Sequence, residues 1–280
     1  MHKPVLLHES IEGLDLQEGE IFLDGTYGAG GHSGEVLRRF PTVKIIALDQ
    51  DPATGKAGRP QAGVITANFR DLDRVVDEKV DAILFDLGFS SDQLEGGVPG
   101  LSFLRDEPLD MRLSRQGPTA ADILNSWDEY AIELILRGFG EEKYSRKIAR
   151  EIVDRRELKP FKTTSDLVEA VIAVKPKSWR DKINPATKTF QALRIAVNEE
   201  LASLEIGLEK GFEILKTGGR FAVISFHSLE DRIVKNFFRD RVKEGRGELV
   251  NKKPIVPSEE EIKENPRSRS AKLRIIKKYE

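Results

Sequence analysis

The stretch Asp24-Gly25-Thr26-Tyr27-Gly28-Ala29-Gly30-Gly31-His32 decides how this chain is read. Immediately before it, Ile21-Phe22-Leu23 is short, apolar and β-prone. After it, Ser33 to Arg39 has the composition of a helix. A strand that runs through glycines into a helix is the opening of a βαβ unit. Glycines let the backbone approach a ligand closely and adopt dihedrals closed to other residues. The helix N-terminus behind them offers unpaired N–H groups to a carboxylate or phosphate.

Two acids narrow the ligand. A dinucleotide loop has the pattern Gly-x-Gly-x-x-Gly, and from Gly28 the third position is Ser33. Asp24 stands directly before the loop and would repel a pyrophosphate. It suits a cofactor that carries an ammonium beside its carboxylate, as S-adenosylmethionine does. Asp49 lies 21 residues after Gly28, at the end of a second strand, where an acid accepts hydrogen bonds from a ribose diol. An ordinary glycine-rich turn is the structural alternative for the loop.

Working outward, Val43 to Leu48 reads as the second strand, Gly63 to Ala67 as the third and Asp81 to Asp86 as the fourth. Pro52 suits the first turn of an intervening helix. From Thr119 to Val174 only helical periodicity is present, with Thr119, Asp128 and Thr164 or Ser165 as N-caps. A long helical stretch covers Ala186 to Leu215. Strand character returns at Gly219 to Phe226, a helix begins at Leu229, and Lys272 to Lys277 alternates like an edge strand. The expected architecture is α/β, a Rossmann-like sheet domain with an inserted all-helical domain. Its boundaries fall at 1–104 and 201–280 for the sheet domain and 105–200 for the insert, which is expected to recognise RNA.

Composition excludes several classes. The 280 residues suffice for a sizeable core. With no cysteine, disulfides and thiolate-held zinc are ruled out. The histidines His2, His8, His32 and His227 are scattered without ligand spacing, so no metal is expected. Neither a signal peptide nor a membrane-length apolar run is evident, and the expected location is the cytoplasm. Net charge is −2, but Lys143 to Lys162 holds eight Lys/Arg and the stretch from Lys263 to Lys278 is basic. Nucleic acid is recognised by such local patches.

The strand ends supply further candidates. Phe69 follows the third strand, where an aromatic can lie against adenine or simply join the core. Asp86-Leu87-Gly88-Phe89 follows the fourth. The exocyclic nitrogen of cytosine is delocalised into its ring and is a poor nucleophile. An acceptor for its N–H and an aromatic to hold the flipped base answer that need. Asp86 fits the acceptor role, and equally that of a cofactor ligand. His227, ending the fifth strand, is a candidate contact for the base or a structural histidine. Arg112, Lys188 and Arg194 are candidate phosphate contacts, with helix-surface ion pairs as the alternative. A nicotinamide-dependent oxidoreductase and a non-catalytic RNA-binding factor are the competing functional classes.

Several segments then coincide in order along nearly the whole chain. They are His2-Lys3-Pro4-Val5-Leu6-Leu7, Gly30-Gly31-His32, Asp86-Leu87-Gly88 with Ser90-Ser91 and Gln93-Leu94, and Pro108-Leu109-Asp110-Met111-Arg112. Gly140-Glu141-Glu142, Ala186 to Ile195, Ser225 to Arg232 and Asn265-Pro266-Arg267 continue the series. Together they resemble the RsmH (MraW) family. The resemblance implies methylation of a cytidine N4 amine in the decoding region of bacterial 16S rRNA, free or in the small subunit, with S-adenosylmethionine as donor. Carried over by position, it implies cofactor contacts at Gly30, Gly31, His32, Asp49, Phe69, Asp86 and Gln93. Phe89 stands where the family commonly has valine, and Asn184 where it commonly has histidine.

Overall fold

The protein is described by a computed structural model covering residues 3–54, 63–89, 93, 97–175 and 184–279. It divides into two compact units, Met1–Ser90 with Leu201–Glu280, and Ser91–Glu200. Among the described residues, no helix is long and apolar enough to cross a membrane.

The first unit is built on a seven-stranded sheet. Its strands are β1 (Ile21–Asp24), β2 (Lys44–Asp49), β3 (Val64–Thr66), β4 (Val80–Asp86), β5 (Leu215–Ser225), β6 (Gly247–Leu249) and β7 (Lys272–Lys278). Their order is β3-β2-β1-β4-β5-β7-β6. The first five are parallel neighbours, and β7 pairs antiparallel with both β5 and β6. The order reverses beside β1, whose neighbours are β2 and β4. That opens a crevice at the carboxyl ends of β1 and β4.

Alternation assigns the two faces. Leu23, Ile83, Phe85, Phe221 and Val223 point to one side. There they meet α9 (Glu200–Ile214) through Leu204, Leu208 and Phe212, and α10 (Ser228–Lys243) through Val234 and Phe238. Phe22, Ala82, Leu84, Ala222 and Ile224 point to the other side. Their partners are Ile11 and Leu14 of α1 (Leu7–Leu14) and Val36 of α2 (Gly31–Arg39). A sheet covered on both faces must be apolar on both, which is why these strands read as continuous apolar runs.

Helices form the second unit: α4 (Ala120–Ser126), α5 (Glu129–Gly138), α6 (Ser145–Arg156), α7 (Thr164–Val174) and α8 (Thr187–Asn198). A separate core holds them, including Ile123, Leu124, Ile132, Leu136, Ile148, Ile152, Leu167 and Leu193. Thr119 and Asp128 cap α4 and α5 as expected, but α7 is capped by Thr163, one residue earlier than the sequence suggested.

Other differences from the sequence reading have physical causes. The stretch 186–215 is two helices, broken where Glu199 takes φ 48°. The strand at the C-terminus is not an edge. It lies between β5 and the short β6, which the sequence reading missed. Its Leu273 and Ile275 face one core and Ile276 the other, while the buried Lys278 donates to the carbonyls of Phe212 and Leu215 at the end of α9. The helix expected after Pro52 falls mostly on residues outside those described. Residues Pro52 and Ala53 form a turn.

Phe221 is fully buried, meeting Phe85 edge-on at 4.9 Å between ring centres and lying against Gly211. Phe221→Ala should cost about 3–5 kcal/mol of folding free energy. Urea denaturation measures this; a cost below about 1 kcal/mol would mean the aromatic layer is not a packed core.

Candidate active site

Past Asp24 the chain peels away from β1. The Gly25 N–H still bonds Leu84 O of β4, and the Tyr27 N–H bonds Leu48 O of β2. The loop therefore straddles the switch point. Gly28 (φ 51°) and Gly30 (φ 71°) both need the left-handed region. A Cβ on Gly30 would lie 2.5 Å from the Tyr27 ring, and one on Gly31 would lie 2.2 Å from Pro4 Cγ. Gly30, the N-cap of α2, has no side chain to cap the helix's first turn.

Three carboxylates end three adjacent strands, β2, β1 and β4. Asp24 is 2% exposed. It accepts hydrogen bonds from the Ser33 hydroxyl at 2.6 Å and the Thr26 N–H at 3.2 Å. Burial pushes its carboxyl up to about 6, against the lowering pull of those bonds. Asp49 accepts from the amides of Gly28 (2.8 Å) and Asp51 (2.9 Å), and burial raises its carboxyl too. Asp86 accepts from the Gly88 amide at 3.0 Å, and its own N–H donates to Thr26 Oγ1 at 2.6 Å.

His32 is buried beside them. Its Nε2 is 3.2 Å from Val5 O, which can only accept, so Nε2 carries the proton. Nδ1 then faces Asp86 Oδ2 at 3.8 Å. Burial lowers the imidazole's basicity below its ordinary value. A crevice lined by three carboxylates fits a cationic ligand with hydroxyls and disfavours a pyrophosphate.

The remaining candidates are placed as follows. Phe69 is half-buried, stacks on Phe85 at 4.7 Å, and lies so close to α9 that a Cβ on Gly207 would be 2.4 Å from its ring. Its inner face belongs to the core. His227 caps α10: Nδ1 accepts from the Glu230 amide at 3.4 Å, and Nε2 is enclosed, 3.0 Å from Glu230 Oε1. Gln93 belongs to the helical unit, where its carbonyl accepts from Val98. Ser90, Ser91 and Leu94 lie outside the described residues.

The candidate phosphate contacts all have partners within the helical unit. Arg112 grips Asp110 with two bonds, 2.7 and 2.9 Å, and Arg194 grips Glu200 with two, 2.8 and 2.9 Å. Lys188 donates to Glu141 O at 2.9 Å. The sequence reading missed Thr26, Ser33, Pro4 and Val5, all of which shape the loop. Thr26 and Ser33 were visible as hydroxyls beside the glycines; the Pro4 and Val5 contacts are tertiary and left no local signal.

Sheet order, glycine loop and acid-lined crevice together define a class I S-adenosylmethionine-dependent methyltransferase. The model of the MraW methylase family matches residues 1–279. A ribosomal RNA small subunit methyltransferase H from Carboxydothermus hydrogenoformans is 46% identical over an alignment of 304 positions, which covers 99% of this chain and 97% of that protein. The protein of the same name from Persephonella marina is 45% identical over 290, covering 99% of each. An rRNA methylase structure from Streptococcus thermophilus aligns over 100% of this chain and 99% of its own, with TM-score 0.46 and 13% identity. The chain belongs to the MraW methylase family.

The raised Asp24 carboxyl sets a pH dependence. Because its folded value lies above the ordinary 3.8, its ionisation destabilises the fold, by on the order of 3 kcal/mol once pH has risen through about 6. Below 3.8 that cost is absent. A cationic ligand needs the ionised form, so S-adenosylmethionine should bind roughly tenfold more weakly at pH 5 than at pH 7. Calorimetric titration across that range checks it, with Asp24→Asn abolishing the slope. A flat profile in the parent protein would contradict the assignment.

Proposed function

We propose that this protein transfers the methyl group of S-adenosylmethionine to the N4 amine of a cytidine in the decoding region of bacterial 16S rRNA. The observation that carries the cofactor half is the set of three carboxylates around a glycine loop at the switch point. The RNA half rests on membership of a family whose relatives are named ribosomal RNA small subunit methyltransferase H.

When bound, S-adenosylmethionine supplies a methyl already activated on its sulfonium. The protein's task is therefore mainly alignment and acceptance of a proton. Asp24 holds the ammonium, and the amides of Gly30, Gly31 and His32 hold the carboxylate. Asp49 accepts from the ribose hydroxyls with the lone pairs that its two amide donors leave unused. Phe69, anchored on Phe85, offers its outer face to adenine.

Asp86 accepts an N–H of the cytosine amine. Bond formation to that nitrogen would break the methyl–sulfur bond, leaving a neutral thioether, and the nitrogen would give up one proton, which the Asp86 carboxylate would accept. Its orientation is fixed by the Gly88 amide on one side and Thr26 behind it. His227, with Nε2 enclosed and Nδ1 committed to Glu230, shapes the turn after β5 and contacts the base only if the ring turns out.

The helical unit binds RNA. Arg112 and Arg194 act there through their partners, since both guanidinium groups hold carboxylates. Exposed Lys143, Arg146, Lys147 and Arg150 on and before α6 supply phosphate contacts, together with Lys188. The double reversal Arg146→Glu, Lys147→Glu should weaken rRNA binding and flatten its salt dependence while leaving S-adenosylmethionine affinity unchanged. Unaltered RNA affinity would remove α6 from the interface.

The function is tested with labelled S-adenosylmethionine and small ribosomal subunits from a strain lacking the modification. Nucleoside analysis should find the label in N4-methylcytidine. Asp86→Ala should lower kcat by about 10²-fold or more. Label in another nucleoside, or in none, would overturn the proposal.

A further inference from the structure

Residues 3–6 precede α1 and run past the glycine loop. Pro4 packs on Gly31 so tightly that no side chain fits there. The Val5 carbonyl accepts the His32 Nε2 proton at 3.2 Å, which fixes the ring's tautomer and turns Nδ1 toward Asp86. Leu6 is fully buried and left-handed, φ 51° and ψ 38°, a conformation disfavoured for leucine. Its carbonyl starts α1 by accepting from Ser10 at 2.9 Å. Its N–H points away from that helix and needs an acceptor from elsewhere.

That acceptor comes from the far end of the chain. Glu261 Oε1 lies 2.8 Å from Leu6 N. Glu261 sits in α11 (Glu259–Glu264), whose start is fixed by Ser258 Oγ accepting the Glu261 amide at 3.1 Å. Two weaker ties run alongside: Lys3 Nζ to Glu264 at 2.7 Å, largely exposed, and Asn265 Nδ2 to Lys3 O at 3.3 Å. Together these contacts form one path, from Glu261 through Leu6, Val5 and Pro4 to His32 and Gly31.

We infer that Glu261 is a positioning residue for the cofactor loop, acting through the strap of residues 3–6 rather than by touching the cofactor. The inference rests on the cofactor reading given above. Remove the carboxylate and the buried Leu6 amide loses its acceptor, so the left-handed turn relaxes. Val5 O then leaves His32, and Pro4 no longer bears on Gly31. The first turn of α2, where the cofactor's carboxylate is held, loses its backing. The need is for an acceptor, not a charge, so a glutamine can serve.

The test compares Glu261→Ala with Glu261→Gln in the full chain. The alanine variant should raise KM for S-adenosylmethionine about tenfold, with kcat and the KM for ribosomal subunits within about twofold of the parent. Glu261→Gln should restore the parent value. An unchanged cofactor KM in Glu261→Ala overturns the inference, as does a loss of both KM values and stability that glutamine does not rescue. Should the alanine variant fail to fold, hydrogen exchange on the parent protein decides: saturating S-adenosylmethionine should slow exchange of the Leu6 amide. No slowing overturns the strap. If the parent binds no S-adenosylmethionine, the cofactor reading falls. If the parent binds and the alanine variant binds equally well, only the strap falls.

Discussion

A carboxylate buried at the end of β1 governs the arrangement around it. Asp24 is almost wholly withdrawn from water and accepts hydrogen bonds from a hydroxyl and an amide. Satisfying it requires Ser33 on the first turn of α2 and Thr26 at the loop's entrance. Those two bonds fix where the helix starts and how the loop leaves the strand. Thr26 then uses its hydroxyl to hold the Asp86 amide, so the ends of β1 and β4 are set relative to each other. An isolated buried carboxylate is costly to ionise. Here that cost leaves the crevice poised for a ligand that brings positive charge.

The sheet makes such a crevice possible. Parallel strands deliver all their carboxyl ends to one edge, and the reversal of order beside β1 leaves a gap between the connections there. Alternating side chains on β1, β4 and β5 divide into two cores, one under α9 and α10 and one under α1 and α2. Phe85 links this layer to the site: it stacks beneath Phe69 and crowds Gly25. Glycines at 207 and 211 let α9 approach the aromatic layer closely, which fixes the depth at which Phe69 sits.

Much of this was legible in the residues. β1, β4 and the second half of β5 showed as apolar runs because both faces are buried, and Asp24, Asp49 and Asp86 stood out because each closes a strand. What was hidden depended on distant partners. The break at Glu199 has neither glycine nor proline to announce it. The lysine-rich last strand resembled an edge, yet the sheet places it inside, with Lys278 buried against the end of α9. For Arg112 and Arg194 the residues left phosphate contact and ion pairing open, because a sequence does not show that Asp110 and Glu200 hold them. The role of Pro4 and Val5 depends on a fold contact with α2 that no local pattern encodes.

The central claim is that the switch-point crevice is built for a cation-bearing nucleoside cofactor. The most direct test is equilibrium titration of the full chain at pH 7.5 with S-adenosylmethionine and, separately, with NAD, in the parent and in Asp24→Asn. The account predicts that the parent binds S-adenosylmethionine and not NAD, and that Asp24→Asn weakens the first without creating the second. Binding of NAD by the parent, or S-adenosylmethionine affinity indifferent to Asp24, would contradict it.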